Sequence, residues 1–349
     1  MPFRALGRLT HTQAVFLMIA VTLMWSIAGV VARQLESAAA FEITFWRSAF
    51  AALSMLVILP WWRAADRADG RIADDPAQGA LERHWGVLHR SRAFWISGAC
   101  WSVMFTAFML ALSFTTVANV LIIMSVGPLF TALLARVLIG HRLALRTWLA
   151  IVAAGAGIVY MYGSQFLQAL AEPGTQTSGL VVGSLVALCV PLAGAINWTV
   201  VQRSQSHGEK IDLMPSVLLG GVLSSLMTLP LALPFVATAG DIAWLALLGL
   251  VQLAIPCALA MVCARSLKAP EVSLLALLEV VFGILLAWLG AGEAPCPEVL
   301  SGGSLVIGAL VMNELLGWRS RSGTPRIQTL ETPRLTERRP ERTNRKDRR

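Results

Sequence analysis

The chain has 349 residues, of which 56% are hydrophobic and 14% charged, with a formal net charge of +8. Soluble domains average about 25% charged residues, so the balance excludes an ordinary water-soluble enzyme and points to lipid as the solvent for most of the chain. The five cysteines form no CxxC pair and there is no GxxxxGK[ST] loop, so the residues call for no disulfide framework, metal, cofactor or nucleotide-driven motor.

Apolar runs of about 20 residues, the length that crosses a hydrocarbon core as a helix, recur along the chain. The first lies between Gln13 and Val31, behind Arg4 and Arg8. It is longer than the roughly 7–15-residue core of a signal peptide, so it counts as a span. Spans are expected at 13–33, 42–62, 93–113, 117–139, 144–163, 179–201, 214–236, 241–264, 271–291 and 299–317. Glu172-Pro173-Gly174 and Ala294-Pro295-Cys296-Pro297 punctuate two of the loops between them. The alternating ten-residue segments of an outer-membrane barrel are not seen. Two stretches read as soluble: a charged cytoplasmic linker at 63–92, and a basic tail at 318–349 whose low apolar content predicts disorder.

Cytoplasmic segments carry an excess of Lys and Arg. Of the 28 basic residues, all but Arg33 and Arg47 fall on one side of the expected topology. Both termini are therefore expected in the cytoplasm, which requires an even number of spans. The charge reports membrane topology, and a nucleic-acid partner is not needed to explain it. Arg outnumbers Lys heavily, as in GC-rich bacterial genomes, so the expected address is an inner membrane.

Shifting the second half back by 152 positions lays Phe282, Leu285, Leu286 and Ala287 over Phe130, Leu133, Leu134 and Ala135, and Gly292 over Gly140. Span four ends beside His141 and Arg142, on the basic side, whereas its counterpart, span nine, begins beside Arg265 and Lys268 and ends beside Glu293 and Glu298. The halves 13–163 and 179–317 therefore run in opposite senses. Inverted repeats of this kind build many secondary transporters, with the substrate site near mid-membrane between them.

Several stretches carry a specific resemblance: Met24-Trp25-Ser26 with Phe45-Trp46-Arg47, Ala111 to Thr116 leading to Pro128 through Leu133, and Leu274 to Glu279 through Leu289 to Glu293. Over residues 14 to 317 the chain resembles the EamA family of the drug/metabolite transporter superfamily. The resemblance implies an all-α integral membrane protein of about ten transmembrane helices in a five-plus-five inverted repeat. It also implies a carrier that exports or exchanges amino acids, other metabolites or drugs. Where the family often has Glu-Pro in both span four and span nine, this chain keeps the proline in one (Pro128) and the acid in the other (Glu279), and His141 stands where the first half usually has Glu.

Glu279 lies roughly 12 Å into span nine at about 1.5 Å per residue. A central ionised side chain costs about 2.5–3.5 kcal/mol on insertion scales, so it should face protein or water. It would bind a substrate amine or carry a coupling proton; the structural alternative is a hydrogen bond fastening span nine to a neighbour. Arg47 would meet a substrate carboxylate, or else a structural ion pair or a lipid headgroup. Ser26, Asn119, Asn197 and Gln252 offer donors and acceptors to a zwitterionic ligand, but such groups also fasten helices together. Trp25, with Trp46, Trp101 and Trp198, would line an aromatic cavity or anchor span ends. Pro128, Pro191 and Pro256 interrupt spans; Pro128 and Pro256 are candidate gating breaks, and spans four and eight are expected to line the pathway. The pairs Ala153/Gly157 and Ser304/Gly308 read as close packing or as a homodimer face.

The expected partners are thus a small-molecule substrate and membrane lipid. A lipid-modifying enzyme is the first alternative, since loop residues can serve such chemistry, and a channel the second. An intramembrane protease lacks its residues, because no His or Asp lies deep in an apolar run.

Overall fold

The computed structural model describes residues 9–68, 91–139, 176–206, 213–267 and 269–322, with parts of 145–160. The expected linker at 63–92 and tail at 318–349 fall largely outside them. Every element among the described residues is helical: α1 (His11–Ala32), α2 (Ala40–Ala68), α3 (Arg92–Phe114), α4 (Val117–Met124), α5 (Gly127–Ile139), α6 (Gln176–Ser206), α7 (Pro215–Ala232), α8 (Ala239–Leu247), a π-helical turn (Leu248–Ala254), α9 (Ile255–Cys263), α10 (Ala269–Ala291) and α11 (Pro297–Ser322). Six helices or helical runs are long and apolar enough to cross a membrane, and Val117–Thr131, Trp148–Gly157, Leu275–Ala291 and Val299–Ala309 are shorter apolar stretches. The fold is an all-α membrane protein. Leu289, Trp61 and Phe16 stand outward and exposed, as lipid-facing side chains must.

Local chemistry sets the helix ends. Thr10 and Gln13 form a capping box at the start of α1, and Thr238 and Asp241 form another at α8. Thr116 accepts from the Asn119 amide and starts α4. Gly292, at φ +66°, ends α10, and the next amide, of Glu293, returns to the Ala287 carbonyl at 3.2 Å. The left-handed glycine lets the chain fold back on the last turn, in a closure one residue wider than the usual six-residue one.

All three expected proline breaks differ from the sequence expectation. Span four does not break at Pro128 but at Ser125-Val126, between α4 and α5; Pro128 sits in the first turn of α5, where its missing N–H costs nothing. Span eight changes to a π turn ahead of Pro256, which then occupies the first turn of α9. Pro191 is carried within a continuous α6.

The packing is pseudo-symmetric. Helix α2 lies against α7 in the antiparallel sense: Ser48 and Ser224 hydroxyls meet at 2.9 Å, while Glu42 reaches Val236 and Ala237 beyond the other end of α7. Helix α1 packs on α10, with Ser26 beside Glu279 and Arg33 beside Glu293. In the same way α6 packs on α4 and α5. Helix α3 packs on α6 and α7, as the α8–π–α9 run packs on α1 and α2.

The two ends of the bundle differ. At the end holding Arg33, Glu42, Asp241 and Glu293, the interior is one continuous apolar cluster from Ala28 and Leu112 through Val117–Ile123 to Ala287. At the opposite, basic end, where Ser266 Oγ donates to the Leu9 carbonyl, the interior divides. One cluster gathers Met55, Phe94 and Met214. The other gathers Met18, Cys263 and Val272.

Candidate functional site

A cavity of about 160 Å³ lies at the centre of the bundle, lined from α1, α2, α3, α4, α5, α6, the π turn, α9 and α10. Its wall is mostly apolar, with Trp25, Trp101, Phe105, Phe108 and Trp198 supplying rings and Met18, Met104 and Met124 supplying deformable thioethers. Trp101 and Trp198 meet edge to face at 6.3 Å, and Trp101 packs on Phe105 at 5.5 Å. Thr131 and Ser125 add hydroxyls.

Two ionisable side chains, Arg47 and Glu279, line this wall. Arg47 is 2% exposed. Its Nε donates to Gln252 Oε1 at 3.1 Å, its Nη1 to the Phe105 carbonyl at 3.3 Å, and its guanidinium stands over the Phe108 ring at 5.5 Å. Gln252 is itself held, donating from Nε2 to the Trp25 carbonyl at 3.3 Å. The π turn has a plain role here. The wider turn presents Gln252 where Arg47 and Trp25 can both be reached, an instance of π segments re-aiming a side chain at a functional position. The second amino group of Arg47 has no partner among the described residues, and neither does the Glu279 carboxylate. Glu279 is instead fixed through its main chain, because the Ser26 hydroxyl bridges the Thr22 carbonyl at 2.7 Å and the Glu279 carbonyl at 3.1 Å.

The remaining sequence candidates divide between cavity and scaffold. Trp25, Gln252 and Pro128 line the cavity with Arg47 and Glu279; Ser26, Pro256, Asn119 and Asn197 do not. Asn119 donates to Thr115 Oγ1 at 3.0 Å. Asn197 accepts from Ser97 at 2.6 Å, in a buried seam that continues to Ser216 at 2.7 Å. Trp46 packs away from the cavity against Phe45, Phe50 and Phe235. Gly157 packs on the Gly302 carbonyl and Val306 of α11, whereas Gly308 has open space beside it. Met104, Phe105 and Phe108, absent from the sequence candidates, join Trp101 at i, i+3, i+4 and i+7 on one face of α3. That spacing is a legible signal for a single lining stripe. Among the described residues no three His, Cys, Asp or Glu side chains gather as a metal would require.

The arrangement suits a small molecule with charges of both signs and an apolar body: an anionic group toward the free amino group of Arg47, a cationic group toward Glu279, and the remainder among the rings. Few polar groups in a mostly apolar concavity is the usual composition of a small-molecule site.

No curated protein matches the chain. A solved structure described as "Crystal structure of protein" shares the fold, with TM-score 0.58 over 89% of this chain and 100% of that one at 18% identity. The model of the EamA-like transporter family matches residues 12–163. Those residues, which carry Trp25, Arg47 and the α3 stripe, are thus similar to the EamA-like transporter family, which is part of the drug/metabolite transporter superfamily.

Proposed function

We propose that the protein is a secondary transporter that exports or exchanges a small zwitterionic metabolite, such as an amino acid or related compound, by alternating access around the central cavity. The observation that carries this reading is the pair Arg47 and Glu279 on one cavity wall, each with unpartnered polar atoms. Ionisable side chains inside a membrane protein are expensive and are retained where they serve a substrate or ion path. The antiparallel packing of α2 on α7 supports the inverted five-plus-five repeat: helices equivalent across an in-plane axis run in opposite senses, whereas those related by an axis normal to the membrane run in the same sense. The charge asymmetry supports an inner-membrane protein with ten spans and both termini in the cytoplasm.

The test is counterflow in proteoliposomes of the purified protein, using radiolabelled amino acids chosen by a thermal-shift screen. Saturable exchange is the expected result. Ohmic current without counterflow would replace the carrier with a pore, and turnover of added lipid without counterflow would replace it with an enzyme.

A further inference from the structure

The acidic end of the bundle is tied shut by side chains that the cavity does not use. Arg33, at the end of α1, donates from Nε to Glu293 Oε2 at 3.0 Å, from Nη1 to the Leu112 carbonyl at 3.2 Å, and from Nη2 to the Thr115 carbonyl at 3.1 Å. The last two acceptors are carbonyls at the end of α3. Glu293, held beyond α10 by the turn at Gly292, accepts with its other oxygen from the Val117 amide at 2.6 Å, in the first turn of α4. One ion pair therefore fastens the α1/α10 pair to the α3–α4 junction, using a free carbonyl end on one helix and a free amide end on the next. The pair is partly shielded, with side-chain exposures of 36% and 18%.

We propose that Arg33 and Glu293 are the gate residues that hold this carrier closed on its acidic face, and that releasing them opens the cavity to that face. The inference rests on the transporter reading above. Its physical basis is the asymmetry of the interior: a single buried apolar cluster lies beneath the latch, while toward the basic end the buried residues form two clusters joined only through the partly buried Leu9, Trp25 and Trp198, the last two of which line the cavity. Opening the acidic face means parting α10 from α4, and the Glu293–Val117 and Arg33–Thr115 bonds cross that line. Glu42 and Asp241 also tie chain at this end, but they join α2 to the α7–α8 connection and α8 to the α1–α2 connection. They do not cross it.

The test needs no knowledge of the substrate. A Thr131→Cys reporter in the cavity, with the five native cysteines replaced by serine or alanine, is labelled with a charged, membrane-impermeant methanethiosulfonate in right-side-out and inside-out vesicles. Labelling of the latch-intact protein is expected mainly from the basic face. Arg33→Ala and Glu293→Gln should each raise the rate from the acidic face about five- to tenfold, the effect of losing one partly exposed ion pair with its backbone hydrogen bonds. The double variant should go no further than the stronger single. Labelling from the basic face controls for folding, and a second arm avoids destabilising variants: Arg33→Cys with Glu293→Cys, bridged by a short bis-methanethiosulfonate, should abolish acidic-face labelling, and reductant should restore it. If the latch-intact reporter labels from both faces and neither single variant nor bridge changes the ratio, the gate assignment is overturned and the carrier reading stands. If no variant ever labels from the acidic face, the cavity does not alternate and both fall.

Discussion

Gln252 accepts from the Arg47 guanidinium at 3.1 Å and donates to the Trp25 carbonyl at 3.3 Å, so the orientation of the buried cation is set jointly by the π turn and α1. The neighbouring Ser26 fixes the main chain of Glu279. Two consecutive residues of α1 thus stand behind both charges of the cavity, and a movement of α1 is transmitted to each.

Gln252→Ala leaves a buried guanidinium short of one acceptor, which costs about 1–3 kcal/mol. Gln252→Glu replaces that acceptor with a carboxylate, which strengthens the bond to Arg47 by more than the lost, part-buried donation to the Trp25 carbonyl costs, while neutralising the charge a ligand anion would meet. The expected order of thermal stability in detergent places the Glu variant above the Ala variant, yet counterflow by the Glu variant should fall below that of the native protein. Full transport by Gln252→Glu would remove Arg47 from substrate binding.

Arg47→Lys tests geometry at constant charge. An ammonium cannot serve Gln252 and the Phe105 carbonyl at once while presenting a flat face to Phe108 and a further donor to the cavity. Loss of a charge-assisted contact of about 1.5–3 kcal/mol corresponds to roughly 10- to 150-fold in affinity. Competition against the radiolabelled amino acid selected by counterflow reads this directly, and unchanged half-inhibition would show that any cation suffices.

How much of this was legible in the sequence follows from what each signal needs. Apolar run length and the distribution of Arg are local properties, so the helices and the two ends of the bundle could be read from one chain. Arg47, Gln252, Trp25 and Glu279 stood out because polar groups are rare in such runs. Asn119 and Asn197 stood out for the same reason, yet they belong to capping and to a buried seam; only the rotation of a helix about its axis separates the two cases, and a nearly uniform apolar helix does not encode that rotation. Nor does the sequence mark the π turn, because an extra residue in a helical turn has no compositional signature. Arg33 was visible as a lone basic residue on the acidic side. Its bond to Glu293, 260 positions away, depends on α1 packing on α10.

Glu279 has a carboxyl group without a hydrogen-bond partner among the described residues, so Glu279→Gln should leave folding intact while removing the ionisable group. The Ser26 bond is to its main chain and survives the substitution. Counterflow is expected to drop at least about tenfold, and whatever pH dependence the native protein shows should flatten if the carboxylate carries a coupling proton. Native rates with a native pH profile would reassign Glu279 to the scaffold.

Gly249 and Gly308 make a matched pair that separates packing from helix propensity. A Cβ on Gly249 would fall 2.5 Å from Phe50 Cβ, 2.8 Å from the Arg47 carbonyl and 2.9 Å from the Ala51 amide. Two of these are main-chain atoms that cannot swing aside, so the π turn and α2 must separate. Overpacking of this kind costs about 1–3 kcal/mol, and the displacement occurs at Arg47 itself, so Gly249→Ala should lower transport as well as thermal stability. Gly308 lies in α11 with nothing within 4 Å of its would-be Cβ, and alanine there is worth about 0.5–1 kcal/mol in helix propensity alone. Gly308→Ala is therefore expected to unfold at the native temperature or slightly above it and to transport normally. Equal melting temperatures for the two variants would mean that the π turn is not pressed against α2, and Gln252 would then lose its role in orienting the cation.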